Sequence, residues 1–172
     1  MLLPLFEEDG EARLVLTRRP DTMPSHQGEI AFPGGKIEPG IDVDARAAAL
    51  REAHEEIGLR AEEVEVVAAL PPIATVVGGF LISPFVGLLD RRPALVVDTR
   101  EVARVFDVPL VELLEDGVYR EEWWGPDRDG PGRPIAFFEL EDETVWGATA
   151  RILMAFLARV VGVAPEAHWE PR

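Results

Sequence analysis

The run Arg51-Glu52-Ala53-His54-Glu55-Glu56-Ile57-Gly58-Leu59 decides how this chain is read. At about 100° per residue, Glu52, Glu55 and Glu56 share an arc of roughly 100° on a helical wheel, and Ala49, Leu50, Ala53 and Ile57 fill the arc beside it. One flank is apolar and packs inward; the other carries three carboxylates. Like charges this close repel one another and are each harder to ionise. The stripe therefore suits open water, as a solvated acidic face, or a divalent cation.

Asp42 or Asp44 caps the helix start, Ala45, Ala47, Ala48 and Ala49 propagate it, and Gly58 ends it as a left-handed C′ residue. Just before it, Phe32-Pro33-Gly34-Gly35-Lys36-Ile37-Glu38-Pro39-Gly40 sets three glycines and two prolines between a strand and the helix. Such a backbone turns sharply and comes close to a ligand. A glycine loop leading into an acidic helix makes a metal and phosphate site, which favours the cation over the solvated face. Arg18, Arg19 and Lys36 lie near that loop in sequence and are the candidate phosphate contacts, with solubilising surface charge as their alternative role.

Gly34-Gly35 followed by Arg51-Glu52-x-x-Glu55-Glu56-x-Gly58-Leu59 resembles the box of the Nudix hydrolases, G-x5-E-x7-R-E-U-x-E-E-x-G-U with U apolar. The second half matches at every specified position. The first half departs: Arg51 stands two residues later than the pattern counts from Gly35, and Val43, flanked by Asp42 and Asp44, takes the place of the first glutamate. A lengthened, Asp-rich loop is similar to that of one branch, the coenzyme A pyrophosphatases, which carries L-L-T-x2-S-x3-R-x3-G-x3-F-P-G-G upstream. Thr17, Gly28 and Phe32-Pro33-Gly34-Gly35 keep that spacing, while Pro20 replaces the Ser and Pro24 the Arg. Val145-Trp146-Gly147-x-Thr149-Ala150 is a weaker echo.

The 172 residues read as one domain, 1–172, with 47% hydrophobic and 28% charged residues, ordinary for a globular protein. No apolar run reaches the ~18 residues of a membrane span. Absence of cysteine excludes disulfides, thiolate metal sites and cysteine nucleophiles. Metal chemistry is then oxygen chemistry, which suits Mg²⁺ or Mn²⁺. A net charge of −15 disfavours nucleic acid and anionic membranes. With no signal peptide at Met1-Leu2-Leu3-Pro4-Leu5-Phe6, a cytoplasmic location is expected. The expected partner is a small nucleotide-diphosphate substrate, and a homodimer is left open.

Leu2–Phe6 and Arg13–Arg18 read as a strand hairpin, Glu29–Phe32, Val64–Leu70, Phe80–Leu89 and Glu101–Val108 as strands, and Leu110–Leu114 as a short helix. Val118–Trp124 and Pro134–Leu140 flank a Gly/Pro-rich tip, and Val145–Val161 carries a 3.6-period stripe at Val145, Thr149, Ile152, Leu153, Phe156 and Val160. This order predicts an α+β protein, a mixed sheet covered on both faces in an α/β/α sandwich; the Nudix resemblance implies the same fold. Trp123, Trp124 and Trp146 read as core or hairpin packing. His54 projects away from the carboxylates, and His26 lies in a loop within reach of substrate.

The resemblance implies water attack on a diphosphate held by metal on Glu52, Glu55 and Glu56, with Glu55 as third ligand or as base through water, Arg51 orienting the acids, and Gly34 and Gly35 acting through backbone geometry. Coenzyme A or an acyl-coenzyme A is the substrate the branch implies. The runner-up is ADP-ribose, nucleoside diphosphate sugars or nucleoside triphosphates, and a non-catalytic binding protein is the other class. A general base from a later loop leaves Glu139, Glu141, Asp142 and Glu143 open.

Overall fold

The computed structural model describes residues 1–23, 25–75, 79–125 and 132–162. β1 (Leu2–Glu8) and β2 (Glu11–Arg18) form the expected hairpin, and the turn residues Asp9 and Gly10 both have positive φ, as a primed two-residue turn requires. There follow β3 (Ile30–Ala31), α1 (Ala45–Ile57), β4 (Glu65–Ala69), β5 (Ile73–Ala74), β6 (Leu81–Ile82), β7 (Phe85–Leu88), β8 (Arg104–Pro109), β9 (Tyr119–Trp124), β10 (Arg133–Glu139), β11 (Thr144–Trp146) and α2 (Gly147–Phe156).

The main sheet runs β3-β2-β1-β7-β4, with β8 also on β2. Leu14 pairs with Leu5 and Val108, and Thr17 pairs with Ala31 and Val105. β1 and β3 therefore share one edge of β2, in succession, and β8 takes the other. β1 and β7 are parallel and the remaining pairs antiparallel, which makes the sheet mixed. A three-stranded sheet β11-β10-β9 and the β5–β6 hairpin complete the strands.

Alternation along β1 and β2 divides the core. Leu2, Phe6 and Val15 turn to the face packed by Ala49, Ala53 and Ile57 of α1, while Leu3, Leu5, Leu14 and Leu16 turn to the face packed by Ile152, Leu153 and Phe156 of α2. The sheet is thus buried between two helical layers, the expected α/β/α sandwich. Glycine-loop residue Phe32 is also fully buried, and the Leu2 N–H donates to the Pro33 carbonyl at 2.9 Å, which fastens the loop against β1.

Local signals set α1. Asp44 caps it by accepting from the Ala47 N–H at 2.8 Å, and Gly58 ends it at φ 70°. The last carbonyls are satisfied from outside the helix, by the N–H groups of Val96 on Ile57 and Asp98 on Glu56, each at 2.9 Å.

Several elements differ from the sequence reading. The strand expected over Phe80–Leu89 is two, broken at Ser83-Pro84, where proline has no N–H for the ladder. The strand expected from Glu101 starts at Arg104, because Glu101 and Val102 both donate to the Asp98 carbonyl in a turn. Leu110–Leu114 is only a 3₁₀ turn over Glu112–Leu114. Val145 belongs to β11, paired with Phe138, so the helix begins at Gly147; beyond Phe156 it widens into a π-helical turn over Leu157–Val161. The β9–β10 hairpin is present, while 126–131 of its tip, Pro24 and the Val160 side chain lie outside the described residues. Trp123, Trp124 and Trp146 are hairpin packing and not core: all three are exposed, and Trp124 and Trp146 pack against each other and Phe137 with centroids 5.9 to 6.4 Å apart.

Candidate active site

Glu56 is the focus of the site. It is only 7% exposed and accepts a hydrogen bond from the Gly34 N–H at 3.0 Å. Burial pushes its carboxyl up to about 7; the Gly34 N–H and Arg19 pull it down, and Glu52 and Glu101 push it further up. Glu52, one turn earlier, is also raised by burial, against the pull of Arg51. Gly35 covers it so closely that a Cβ there would collide with the Glu52 carboxylate. Gly34 sits at φ +147°, with the Met1 Cα 2.6 Å from where its Cβ would be. Gly35 is therefore a steric requirement of the acid beneath it, and Gly34 of its own backbone conformation and of the Met1 backbone.

Arg51 is a hub within the acidic cluster. It donates through Nε and Nη2 to Asp42 at 3.0 and 2.9 Å, through Nη2 to Glu52 at 3.0 Å and to the Lys36 carbonyl at 3.2 Å, and through Nη1 to Glu55 at 2.8 Å. Arg51 holds the Asp42 carboxyl below its usual range. Of the two candidate caps, Asp44 takes the helix end and Asp42 takes the arginine.

Among the described residues no three carboxylate or imidazole groups are set around one point as ligands. Glu52 and Glu56 converge, but Glu55 is paired to Arg51 with its side chain 54% exposed. Among the described residues, a carboxylate from elsewhere that acts on both Glu52 and Glu56 is Glu101, in the turn after Asp98. The sequence points to later acids only at Glu139, Glu141, Asp142 and Glu143, and carries no local signal for Glu101. Of those, Glu139 is held by Arg120 and Thr144, at 2.6 Å each, and Glu143 lies between Arg18 at 3.5 Å and Arg104 at 3.3 Å.

The three candidate cations diverge. Arg18 is spent within the protein, on Asp21 at 3.0 Å and Glu143. Arg19 acts on Glu56, and its Nε is buried without a hydrogen-bond partner among the described residues. Lys36 is exposed, with Nζ 5.0 Å from the centroid of the Phe80 ring. His26 bonds Glu29 at 2.9 Å, and His54 is exposed.

The family model of the NUDIX domain matches residues 1–121. The chain belongs to the Nudix hydrolase family. The uncharacterized Nudix hydrolase NudL of Photorhabdus laumondii is 38% identical over 153 residues, 89% of this chain and 79% of that one. NudL of Citrobacter koseri is 39% identical over 165 residues, 96% and 83% of the two chains. Among solved structures, a MutT/nudix family protein from Enterococcus faecalis superposes with TM-score 0.62 at 17% identity, over 96% of this chain and 62% of that one, a likeness of fold.

Nudix hydrolases generally use divalent metals, and the donors here fit one. Glu52 and Glu56 are oxygen donors one turn apart, both raised by burial with the Glu101 charge adding to it, and a hard cation relieves that crowding. Without a cation the crowding has a cost that pH reveals. Glu56 has an ordinary carboxyl in the unfolded chain, 4.5, and is raised to about 7 in the folded one. Between those values the folded state holds a proton the unfolded state has released, so stability falls as pH rises through the window. Glu56→Gln is therefore expected to leave the metal-free protein unchanged near the acid end and to stabilise it above pH 8, by up to about 3 kcal/mol at 1.36 kcal/mol per unit. Urea midpoints of both proteins in chelator at pH 5 and pH 8.5 test this; the same difference at both pH values contradicts it.

Proposed function

We propose that this Nudix hydrolase splits the diphosphate of coenzyme A or an acyl-coenzyme A into 4′-phosphopantetheine, or its acyl form, and adenosine 3′,5′-bisphosphate. The observation that carries the reading is the pairing of two halves. Two crowded carboxylates lie under a glycine loop, and the unpartnered guanidinium nitrogen of Arg19 lies at the end of the β2 run that resembles the coenzyme A branch. Pro20, buried where the branch has Ser, restricts Arg19 to extended backbone, and Arg19 supplies the phosphate fork that Pro24 lacks.

Glu52 and Glu56, joined by Glu55 when it leaves Arg51, would hold Mg²⁺ or Mn²⁺. Such an ion neutralises diphosphate oxygens and acidifies bound water. Arg51 keeps Glu52 in place through Asp42, and the Gly34 N–H does the same for Glu56. Arg19 binds the diphosphate. Water adds to one phosphorus as the bridging P–O bond breaks, its electron pair leaving on the other phosphate, and the Glu101 carboxylate takes the proton.

A panel of coenzyme A, dephospho-coenzyme A, ADP-ribose, NADH and a nucleoside triphosphate, with Mg²⁺ or Mn²⁺, tests the reading. The highest kcat/KM is expected for coenzyme A, and a clear preference for ADP-ribose or the triphosphate replaces it with the runner-up. Glu101→Gln should lower kcat by about a hundredfold, within the range for general-base loss, with KM little changed; full turnover in this variant removes Glu101 from the mechanism.

A further inference from the structure

Phe80 is a large apolar side chain left 53% exposed at the mouth of the β5–β6 hairpin. Its backbone is tied to the hairpin. The Thr75 N–H donates to the Phe80 carbonyl at 2.8 Å, the Phe80 N–H donates to Thr75 Oγ1 at 2.9 Å, and Arg151 Nη1 ties the Ala74 carbonyl to α2 at 3.1 Å. The Lys36 ammonium stands 5.0 Å from the ring centroid. Lys36 follows Gly35, and its carbonyl accepts from Arg51 Nη2, the same nitrogen that holds Glu52. An exposed aromatic ring thus stands beside the loop that covers the acids, with the Lys36 cation over one of its faces.

We propose that Phe80 is the surface on which the substrate's nucleobase stacks, with Lys36 on the phosphate side, so that the pair selects nucleotidyl over other diphosphate esters. The proposal rests on the diphosphate-hydrolase reading above. With its backbone tied by two hydrogen bonds and Lys36 over one face, the Phe80 ring offers its other face to a base at the cost of fixing one short side chain. A flexible pantetheine arm has no plane to offer it, and the Lys36 charge beside the ring suits the phosphate that every nucleotide carries next to its base.

The test uses ligands that differ only by the base. AMP and ribose 5-phosphate are titrated calorimetrically into the wild type, Phe80→Ala and Phe80→Trp. The wild type should bind AMP more tightly than ribose 5-phosphate. Phe80→Ala should weaken AMP about tenfold, the low end for loss of one base–aromatic stack, and leave ribose 5-phosphate unchanged, with Phe80→Trp restoring AMP. In turnover, Phe80→Ala should raise KM about tenfold and change kcat far less. Equal effects on both ligands, no effect on AMP, or a loss of 4′-phosphopantetheine affinity in place of AMP affinity overturns the proposal. Because the titrations need no hydrolysis, an inert wild type that keeps the Phe80-dependent preference for AMP discards the hydrolase reading and leaves this one.

Discussion

Glu56→Gln is expected to lower kcat by about a hundredfold or more, about 2.7 kcal/mol of transition-state stabilisation, while the fold survives. The amide is nearly isosteric, and its oxygen still accepts from the Gly34 N–H that Glu56 now uses at 3.0 Å. What disappears is the negative charge, and with it the affinity for a cation. The same change stabilises the metal-free protein at high pH, so activity and stability move in opposite directions, as they do where function keeps a strained group in place. Glu52→Gln should cost a similar factor in kcat. Its carboxylate is less buried and is already compensated by Arg51 at 3.0 Å, so its gain in stability should be smaller. Thermal melts with and without Mg²⁺ or Mn²⁺ complete the measurement: the ion should raise the Tm of the wild type more than that of either variant. Unchanged turnover at saturating metal in both variants would sink the assignment of these carboxylates.

Gly35→Ala should reduce turnover by about a hundredfold through one methyl group. The new Cβ collides with the Glu52 carboxylate, and that carboxylate has little freedom to retreat. Arg51 holds it, and Arg51 is itself held by donating two bonds to Asp42 and one to the Lys36 carbonyl. A displacement of about 1 Å in a positioned group is enough for a loss of that size, and the overpacking itself costs about 1–3 kcal/mol of stability. Gly34→Ala differs in kind, because the residue needs φ +147° and faces Met1 backbone, so its damage falls on folding more than on turnover. Steady-state kinetics with melting curves on both variants separate the two outcomes. Gly35→Ala turning over within threefold of wild type contradicts the steric reading.

The sequence by itself determined α1, its ends and its two flanks. Asp44, Gly58 and the apolar stripe act within one or two turns of the backbone, where caps and period suffice. Unbroken apolar runs in β1 and β2 likewise called for a sheet buried on both faces, and the Arg51–Glu55 pair followed from its spacing of four. Tertiary structure decided the rest, because strand pairing and chain crossings set distances that no local pattern encodes. Asp98, donating to the Glu56 carbonyl, brings Glu101 to the acids from 45 residues away in sequence. The hairpin carrying Phe80 reaches Lys36 only after Pro84 interrupts what reads as one strand. Arg18 and Arg19 are neighbours in the sequence, yet β2 ends between them: Arg18 pairs with Glu143 and Asp21, while the Arg19 charge acts on Glu56. The depth of Glu56, which lifts its carboxyl to about 7, depends on the glycine loop folding over α1, and desolvation is a property of what surrounds a residue and not of its neighbours in the chain.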